Sequence, residues 1–128
     1  MSISNSSFIN NTIIPCDPEN GCSGGAISIT HSEYSYSKVE DCYFSGNNGA
    51  VYFPIMSSEY VSPLFSYITN CQIVGCLNSS AINSDSLSIV IDRVSISGCT
   101  NALEIANSGV VIVKDSVFTG IHGFTHFS

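Results

Sequence analysis

Residues 39–44 read VEDCYF, a short run that begins and ends with an apolar side chain and holds two acidic residues and a cysteine between them. The same order recurs along the chain: an aliphatic residue, a polar one, Asn or Asp (once Arg), a small, aliphatic or thiol residue, a variable one, then Phe or Ile. The five copies are ISNSSF (3–8), VEDCYF (39–44), ITNCQI (68–73), IDRVSI (91–96) and VKDSVF (113–118). A segment that recurs in this way indicates a repeat protein.

The distances between the copies distinguish among repeat architectures. Their last residues lie 36, 29, 23 and 22 positions apart, and leucine-rich repeats share a period of about 20 to 29 residues. Leucine is scarce here, however, and apolar residues show no helical spacing. Runs such as SLSIVI (86–91) and GVVIV (109–113) are instead rich in β-branched residues, which favour strands. We therefore predict an all-β chain that forms a parallel β-helix of about five turns.

Equivalent residues of successive turns in such a fold stack about 4.8 Å apart and form ladders. The last residues of the five copies are expected to form an apolar ladder inside the coil: Phe8, Phe44, Ile73, Ile96 and Phe118. Small residues are expected at a crowded corner: Ala26, Ala50, Ala81, Ala102 and Gly123. The third residues of the copies are expected at a bend, where Asn and Asp tolerate a left-handed backbone: Asn5, Asp41, Asn70 and Asp115. Arg93 interrupts that last column.

The chain has 128 residues, which indicates a single domain over residues 1–128. Two insertions, at about 12–23 and 54–64, contain prolines and are expected to form loops that leave the rod, where binding sites are common. No repeat at either end reads as a cap. Unpaired end strands would favour end-to-end self-association or continuation in a longer protein.

The balance of charge excludes several classes of partner. The chain has three Lys and Arg residues in total and ten Asp and Glu residues, so its net charge is −7. Nucleic-acid binding and attachment to anionic membranes both require basic side chains, and no stretch is long and apolar enough to insert into a membrane. The first residues lack the basic and apolar regions of a secretion signal. We expect an extracellular or cell-surface location as part of a longer protein.

Cysteines occur at repeat-related positions. Cys42 and Cys71 share one column of adjacent turns, and Cys76 and Cys99 share another. In-register Cα atoms about 4.8 Å apart lie within the disulfide window of roughly 4.4 to 6.8 Å. Candidate disulfides are therefore Cys16–Cys22, which would close one loop, Cys42–Cys71 and Cys76–Cys99. Stacked free thiols that act as small hydrophobic groups are the alternative for the two ladder pairs. No C-x-x-C motif occurs, so neither a metal nor a cofactor is predicted.

A small charged patch is the only candidate for chemistry. Asp92, Arg93, Lys114 and Asp115 are expected on neighbouring turns. Enzymes that process acidic polysaccharides combine clustered carboxylates with a cationic side chain. The alternative is a solvated bend with weak surface ion pairs, and no catalytic residue is assigned.

Two short motifs resemble those of a known family. Phe8-Ile9-Asn10-Asn11 and Phe44-Ser45-Gly46-Asn47 resemble the F-x-x-N motif of polymorphic outer membrane protein repeats, and Gly24-Gly25-Ala26-Ile27 resembles their G-G-A-[ILV] motif. Those repeats occur in surface adhesins and are similar in fold to pectate-lyase-like right-handed β-helices. The resemblance implies a right-handed coil and a surface-exposed, non-enzymatic adhesion stalk.

Two functions follow as expectations. The first is a structural or adhesion segment that binds a host-cell or glycan surface through its loops and side face, without catalysis. The second is a carbohydrate-binding or polysaccharide-processing β-helix with a partial site. A glycan array combined with an activity screen separates the two.

Overall fold

The computed structural model describes residues 1–11, 26–29, 36–53, 65–76, 80–85, 88–106, 110–121 and 126–127. Both predicted insertions, and with them Cys16 and Cys22, lie outside these ranges, as do Gly24, Gly25 and Gly123. The statements below concern the described residues.

The described residues form fifteen strands in three parallel sheets. The first sheet contains β1 (Ser2–Ser4), β4 (Lys38–Glu40), β7 (Phe65–Thr69), β10 (Ser88–Asp92) and β13 (Val111–Lys114). The second contains β2 (Ser7–Ile9), β5 (Tyr43–Ser45), β8 (Gln72–Val74), β11 (Ser95–Ser97) and β14 (Val117–Thr119). The third contains β3 (Ile27–Ser28), β6 (Val51–Phe53), β9 (Ser80–Asp85), β12 (Asn101–Ala106) and β15 (His126–Phe127).

The order of the strands confirms the prediction of an all-β chain with stacked parallel strands. Consecutive strands belong to different sheets, and the chain returns to the same sheet with every third strand. None of the described residues is helical. The arrangement is consistent with a parallel β-helix, in which the backbone N–H and C=O groups of each strand form hydrogen bonds with the strands above and below it.

The core is built from files of apolar side chains, one residue per strand. In the second sheet the parallel register joins Phe8 to Phe44, Phe44 to Ile73, Ile73 to Ile96 and Ile96 to Phe118. The three middle members are at most 1% exposed, whereas Phe8 and Phe118 lie half-buried on the two outer strands. The rings of Phe8 and Phe44 stack with centroids 5.1 Å apart. The structure thus places the five predicted ladder residues in one file.

Matching files line the other two sheets. In the first sheet, Val39, Ile68 and Ile91 stack in register and are fully buried. At the start of the third sheet, Ala50, Ala81 and Ala102 are buried, and the Ala50 N–H donates to the carbonyl of Ala81 at 2.8 Å. The flanking register places the three alanines at equivalent positions of successive turns.

A first bend joins the first sheet to the second. Its five residues all have a left-handed backbone, with φ between 47° and 54°: Asn5, Asp41, Asn70, Arg93 and Asp115. Asn and Asp adopt this conformation more readily than other side chains because they can hydrogen-bond locally. The sequence-based assignment of this column to a bend is confirmed, and Arg93 adopts the same conformation as its neighbours.

A second bend joins the second sheet to the third and was missed by the sequence analysis. Its residues also have positive φ, from 56° to 68°: Asn10, Gly46, Gly75, Gly98 and Gly120. The signal was present, because in four of the five copies a glycine stands two positions after the ladder residue. Glycine adopts this conformation without steric penalty.

Candidate functional site

A shallow groove runs along the outside of the first bend. It has a volume of about 640 Å³ and extends from the residues of the first bend to the first residues of four strands of the second sheet. Its lining consists of Asn5, Ser6, Ser7, Asp41, Cys42, Tyr43, Asn70, Cys71, Gln72, Arg93 and Ser95. We call it the bend groove. Because its members come from equivalent positions in the repeat, similar side chains follow one another along the axis of stacking.

The floor of the bend groove is a row of amide and carboxylate groups. Asn70 Nδ2 donates to Asp41 Oδ1 at 2.6 Å, so neighbouring members of the row hold each other in place. Both side chains remain exposed to solvent. A row of this kind offers donors and acceptors at a regular spacing of about 4.8 Å to a molecule lying along it.

One rim of the bend groove is formed by the outward-facing residues that begin the strands of the second sheet. Ser7, Tyr43, Gln72 and Ser95 lie in register in β2, β5, β8 and β11. Tyr43 is 36% exposed and presents the only aromatic ring among the groove residues. An exposed ring beside polar groups has an apolar face and a hydroxyl that donates or accepts a hydrogen bond.

Arg93 is the one cationic group in the groove. Its φ of 54° places a long side chain in a conformation that Asn, Asp or Gly usually occupies. Its Nε lies 3.5 Å from Asp92 Oδ2, and its side chain is 60% exposed. A surface ion pair of this kind stabilises a fold by about 0 to 1 kcal/mol, which does not exceed the strain of about 1 to 2 kcal/mol for a left-handed residue.

Replacing Arg93 with asparagine is therefore expected to raise the free energy of unfolding by about 0.5 to 1 kcal/mol. Urea unfolding measures the change. Arg93→Ala is the control, because it removes the guanidinium but keeps the left-handed strain, and it is expected to bring no gain. A loss of stability in Arg93→Asn would show that the side chain of Arg93 stabilises the bend.

The structure brings the four residues of the predicted charged patch together. Asp92 and Lys114 are register partners in β10 and β13, and the Arg93 N–H donates to the carbonyl of Lys114 at 3.0 Å. Asp115 follows Arg93 in the file of the first bend. Of the four, only Arg93 lines the bend groove. The patch is thus an exposed bend, and its single link to the groove is the guanidinium.

Four cysteines of the described ranges are free, buried thiols: Cys42, Cys71, Cys76 and Cys99. Cys42 and Cys71 underlie the bend groove, and burial raises the pKa of the Cys71 thiol to about 11. The candidate disulfides Cys42–Cys71 and Cys76–Cys99 are not formed in this structure and stay predictions, as does Cys16–Cys22, which lies outside the described residues.

The column that contains Cys42 has a hydrogen-bonding role that the sequence did not predict. Ser6 and Ser116 occupy the same column, and their hydroxyls donate to the carbonyl two residues earlier, at 2.9 and 2.8 Å. The Cys42 and Cys71 thiols make the same contact, to Glu40 O at 3.2 Å and Thr69 O at 3.3 Å. A short donor at this position therefore satisfies a carbonyl at the first bend, which explains why the column holds Ser and Cys.

Two further features are absent from the described ranges. No three His, Cys, Asp or Glu side chains there come close enough to hold a metal ion together. Among the same residues, no helix is of a length and apolarity that would cross a bilayer.

No protein-family model matches the chain, and no curated protein or solved structure is significantly similar to it. The function of the bend groove therefore has to be inferred from its own residues.

Proposed function

We propose that the chain is a right-handed parallel β-helix of about five turns that serves as a surface-exposed adhesion segment of a longer protein. Five strands in each sheet support the number of turns. Right-handedness is supported by the strong preference of connections between parallel strands for that hand. The resemblance to polymorphic outer membrane protein repeats agrees with both features and with a location at the cell surface.

The ligand that the bend groove fits best is an extended glycan. Sugar hydroxyls donate and accept hydrogen bonds, and the floor and rim offer amide, carboxylate and hydroxyl partners along the axis of stacking. The ring of Tyr43 offers an apolar face to the C–H side of a sugar ring. A rod with a long open groove suits a chain-like ligand, whereas a small molecule is usually enclosed in a deeper cavity.

The observation that carries this proposal is the strained backbone conformation of Arg93. Arg93 is a strained residue on the floor of the groove whose ion pair with Asp92 does not offset the strain. Residues kept in strained conformations concentrate at functional sites. A guanidinium with five N–H donors binds hydroxyl and carboxylate oxygens, so a ligand contact accounts for its presence.

Binding to a glycan tests the proposal. The full chain is applied to a printed glycan array, and the best-retained glycan is titrated by calorimetry. Tyr43→Ala and Arg93→Ala are each expected to weaken binding about tenfold, which corresponds to the loss of one good contact. Tyr67→Ala is the matched control, because Tyr67 is 38% exposed on β7 but does not line the groove.

The outcomes of this experiment are distinct. Unchanged affinity in Tyr67→Ala with losses in both groove variants supports the assignment of the ligand to the bend groove. Retention of no glycan on the array, or equal losses in all three variants, contradicts it.

A polysaccharide-processing β-helix is the second candidate, since Asp41 and Arg93 combine a carboxylate and a cation in one groove. Incubation of the retained glycan with the protein distinguishes the two functions. Release of shorter products that is abolished by Asp41→Asn would establish catalysis. An intact glycan after prolonged incubation supports adhesion.

The partners proposed for the chain follow from its charge and its edges. A net charge of −7 disfavours nucleic acids and anionic membranes. On the outer strand β13, Val113 is 44% exposed although its register partner Ile91 is fully buried, and end-to-end association with a second copy would cover it. Sedimentation over a range of concentrations tests this association, and a monomer at every concentration contradicts it.

A further inference from the structure

The two bends join each turn to the next through the same backbone hydrogen bonds. At both bends, the N–H of the bend residue donates to the carbonyl that stands one position before the equivalent residue of the following turn, at 2.8 to 3.2 Å. At the first bend the donors and acceptors are Asn5 and Glu40, Asp41 and Thr69, Asn70 and Asp92, and Arg93 and Lys114. At the second they are Asn10 and Ser45, Gly46 and Val74, Gly75 and Ser97, and Gly98 and Thr119. At the bends, the donor thus lies on the earlier turn and the acceptor on the later one.

The last turn has the donors of this pattern, and the first turn has the acceptors. Asp115 and Gly120 are the bend residues of the last turn, and no described strand stacks beyond β13 and β14. Within the described part of the chain, their N–H groups therefore have no following turn to donate to. No described strand precedes β1 and β2, where the carbonyls of Ser4 and Ile9 hold the acceptor positions. Unpaired strand edges of this kind pair readily with another chain.

The apolar files of the core also end on matching side chains. In the first sheet, the inner file ends at half-buried Ile3 on the first turn and at Val113, which is 44% exposed, on the last. In the second sheet it ends at Phe8 and Phe118, both half-buried. Phe8 already stacks on Phe44 with ring centroids 5.1 Å apart, so this file accommodates two phenylalanines in succession. A first turn stacked on a last turn would continue both files and bury all four end residues.

The polar row of the first bend matches in the same order. Within the chain, Asn70 stands one turn after Asp41, and its Nδ2 donates to Asp41 Oδ1. A first turn stacked on a last turn would place Asn5 one turn after Asp115, which repeats this amide and carboxylate pair. Two neighbouring carboxylates at that position would repel each other instead.

A serine hydroxyl supplies one more matching group. The backbone N–H of Val94 donates to Ser116 Oγ of the following turn at 3.1 Å. Ser6 holds the position of Ser116 on the first turn, and both hydroxyls donate to the carbonyl two residues earlier. Each hydroxyl oxygen therefore keeps lone pairs that can accept a bond. In a stacked pair, Ser6 Oγ would accept from the backbone N–H of Ser116.

We propose that a second copy of this chain stacks head to tail on the first, so that β13 and β14 of one copy pair in parallel with β1 and β2 of the next. The inference rests on the end-to-end association proposed above and assigns its direction and its contacts. Because the interface joins two different surfaces, it does not close and leads to a filament. A two-fold contact between two last turns would pair the strands antiparallel, and the contacts described above would not form.

Two variants, each with one blocked end, test the direction. Val113→Lys blocks the last turn and Ile3→Lys blocks the first, because each puts a charge into an apolar file of the junction. In sedimentation of the full chain, the mass of the unmodified protein is expected to keep rising with concentration. Each variant alone is expected to associate at least about tenfold more weakly. Their equimolar mixture is expected to form a complex of twice the mass of one chain and nothing larger, since only one pair of matching ends remains free.

Val117→Lys is the matched control. Val117 lies on the same edge of the structure, in β14, but it is 59% exposed on the outer face, beside inward-facing Phe118. This variant is expected to associate as the unmodified chain does. Far-ultraviolet circular dichroism establishes that each variant is folded. If Ile3→Lys does not fold, Ser6→Val takes its place: Val94 already stands in that column, and loss of the acceptor hydroxyl is expected to weaken association about tenfold.

The possible failures are distinguishable. Self-association of Ile3→Lys or of Val113→Lys alone, at the strength of the unmodified chain, would overturn the head-to-tail direction but leave end-to-end association in place. A mixture of the two variants that stays monomeric would also overturn the direction. A monomeric unmodified chain at every concentration would overturn the association itself. Glycan binding by the bend groove enters none of these outcomes, so the adhesion function succeeds or fails independently.

Discussion

Replacing Phe44 with alanine is expected to lower the free energy of unfolding by about 3 to 5 kcal/mol. The side chain is fully buried in the middle of the second sheet, between Phe8 and Ile73 in the same file. Its removal leaves a cavity that the parallel strands above and below cannot close, because their backbone hydrogen bonds hold them apart. Equilibrium unfolding in urea, followed by far-ultraviolet circular dichroism, measures the loss.

Tyr43→Ala is the matched control for this experiment. Tyr43 precedes Phe44 in β5, and its side chain points to the opposite face, where it is 36% exposed. Its replacement is expected to change stability by no more than about 1 kcal/mol. Equal losses in the two variants would contradict an internal position for Phe44 and, with it, the stacking of the five ladder residues.

Replacing Gly98 with valine is expected to destabilise the protein by about 2 kcal/mol. Gly98 lies at the second bend with φ of +65°, a conformation that β-branched residues rarely adopt. A methyl group added at this position would lie 3.7 Å from the Gly75 nitrogen, which is ordinary contact. The Cβ atom itself therefore fits, and the expected loss is assigned to the backbone conformation. A shift of the urea midpoint measures it.

Gly98→Asn separates the two explanations. Asparagine already stands in this column at Asn10, with φ of 56°, so it is expected to cost less than about 1 kcal/mol. If asparagine and valine destabilise the protein equally, the available space and not the backbone conformation limits this position.

The architecture could be predicted from the sequence because each repeat of the sequence also supplies one strand to the same sheet in every turn. Phe44 and Ile73 differ in size but stand at the same place in their copies, and in a parallel stack the same place becomes the same file. The first bend could be predicted for a similar reason, since Asp41 and Asn70 belong to the residue types that adopt a left-handed backbone.

The second bend and the bend groove show where sequence reasoning stopped. Each glycine from Gly46 to Gly120 stands two positions after a ladder residue, and this constant interval is itself a signal for a second bend. The groove has only part of such a signal. Its Asn and Asp residues belong to the bend column, but its outward members, such as Tyr43 and Arg93, vary from copy to copy because outward side chains are not constrained by packing.

By itself, the sequence determined the all-β class, the columns of the repeat and the conformation of the first bend. These properties depend on residue type and spacing, which are local. Only the tertiary structure decided which surface forms a groove, that Arg93 shares it with Asp41, and that the thiols of Cys42 and Cys71 face carbonyls. Stacking places two residues directly above one another, but the direction of each side chain depends on the hydrogen bonds and packing around it.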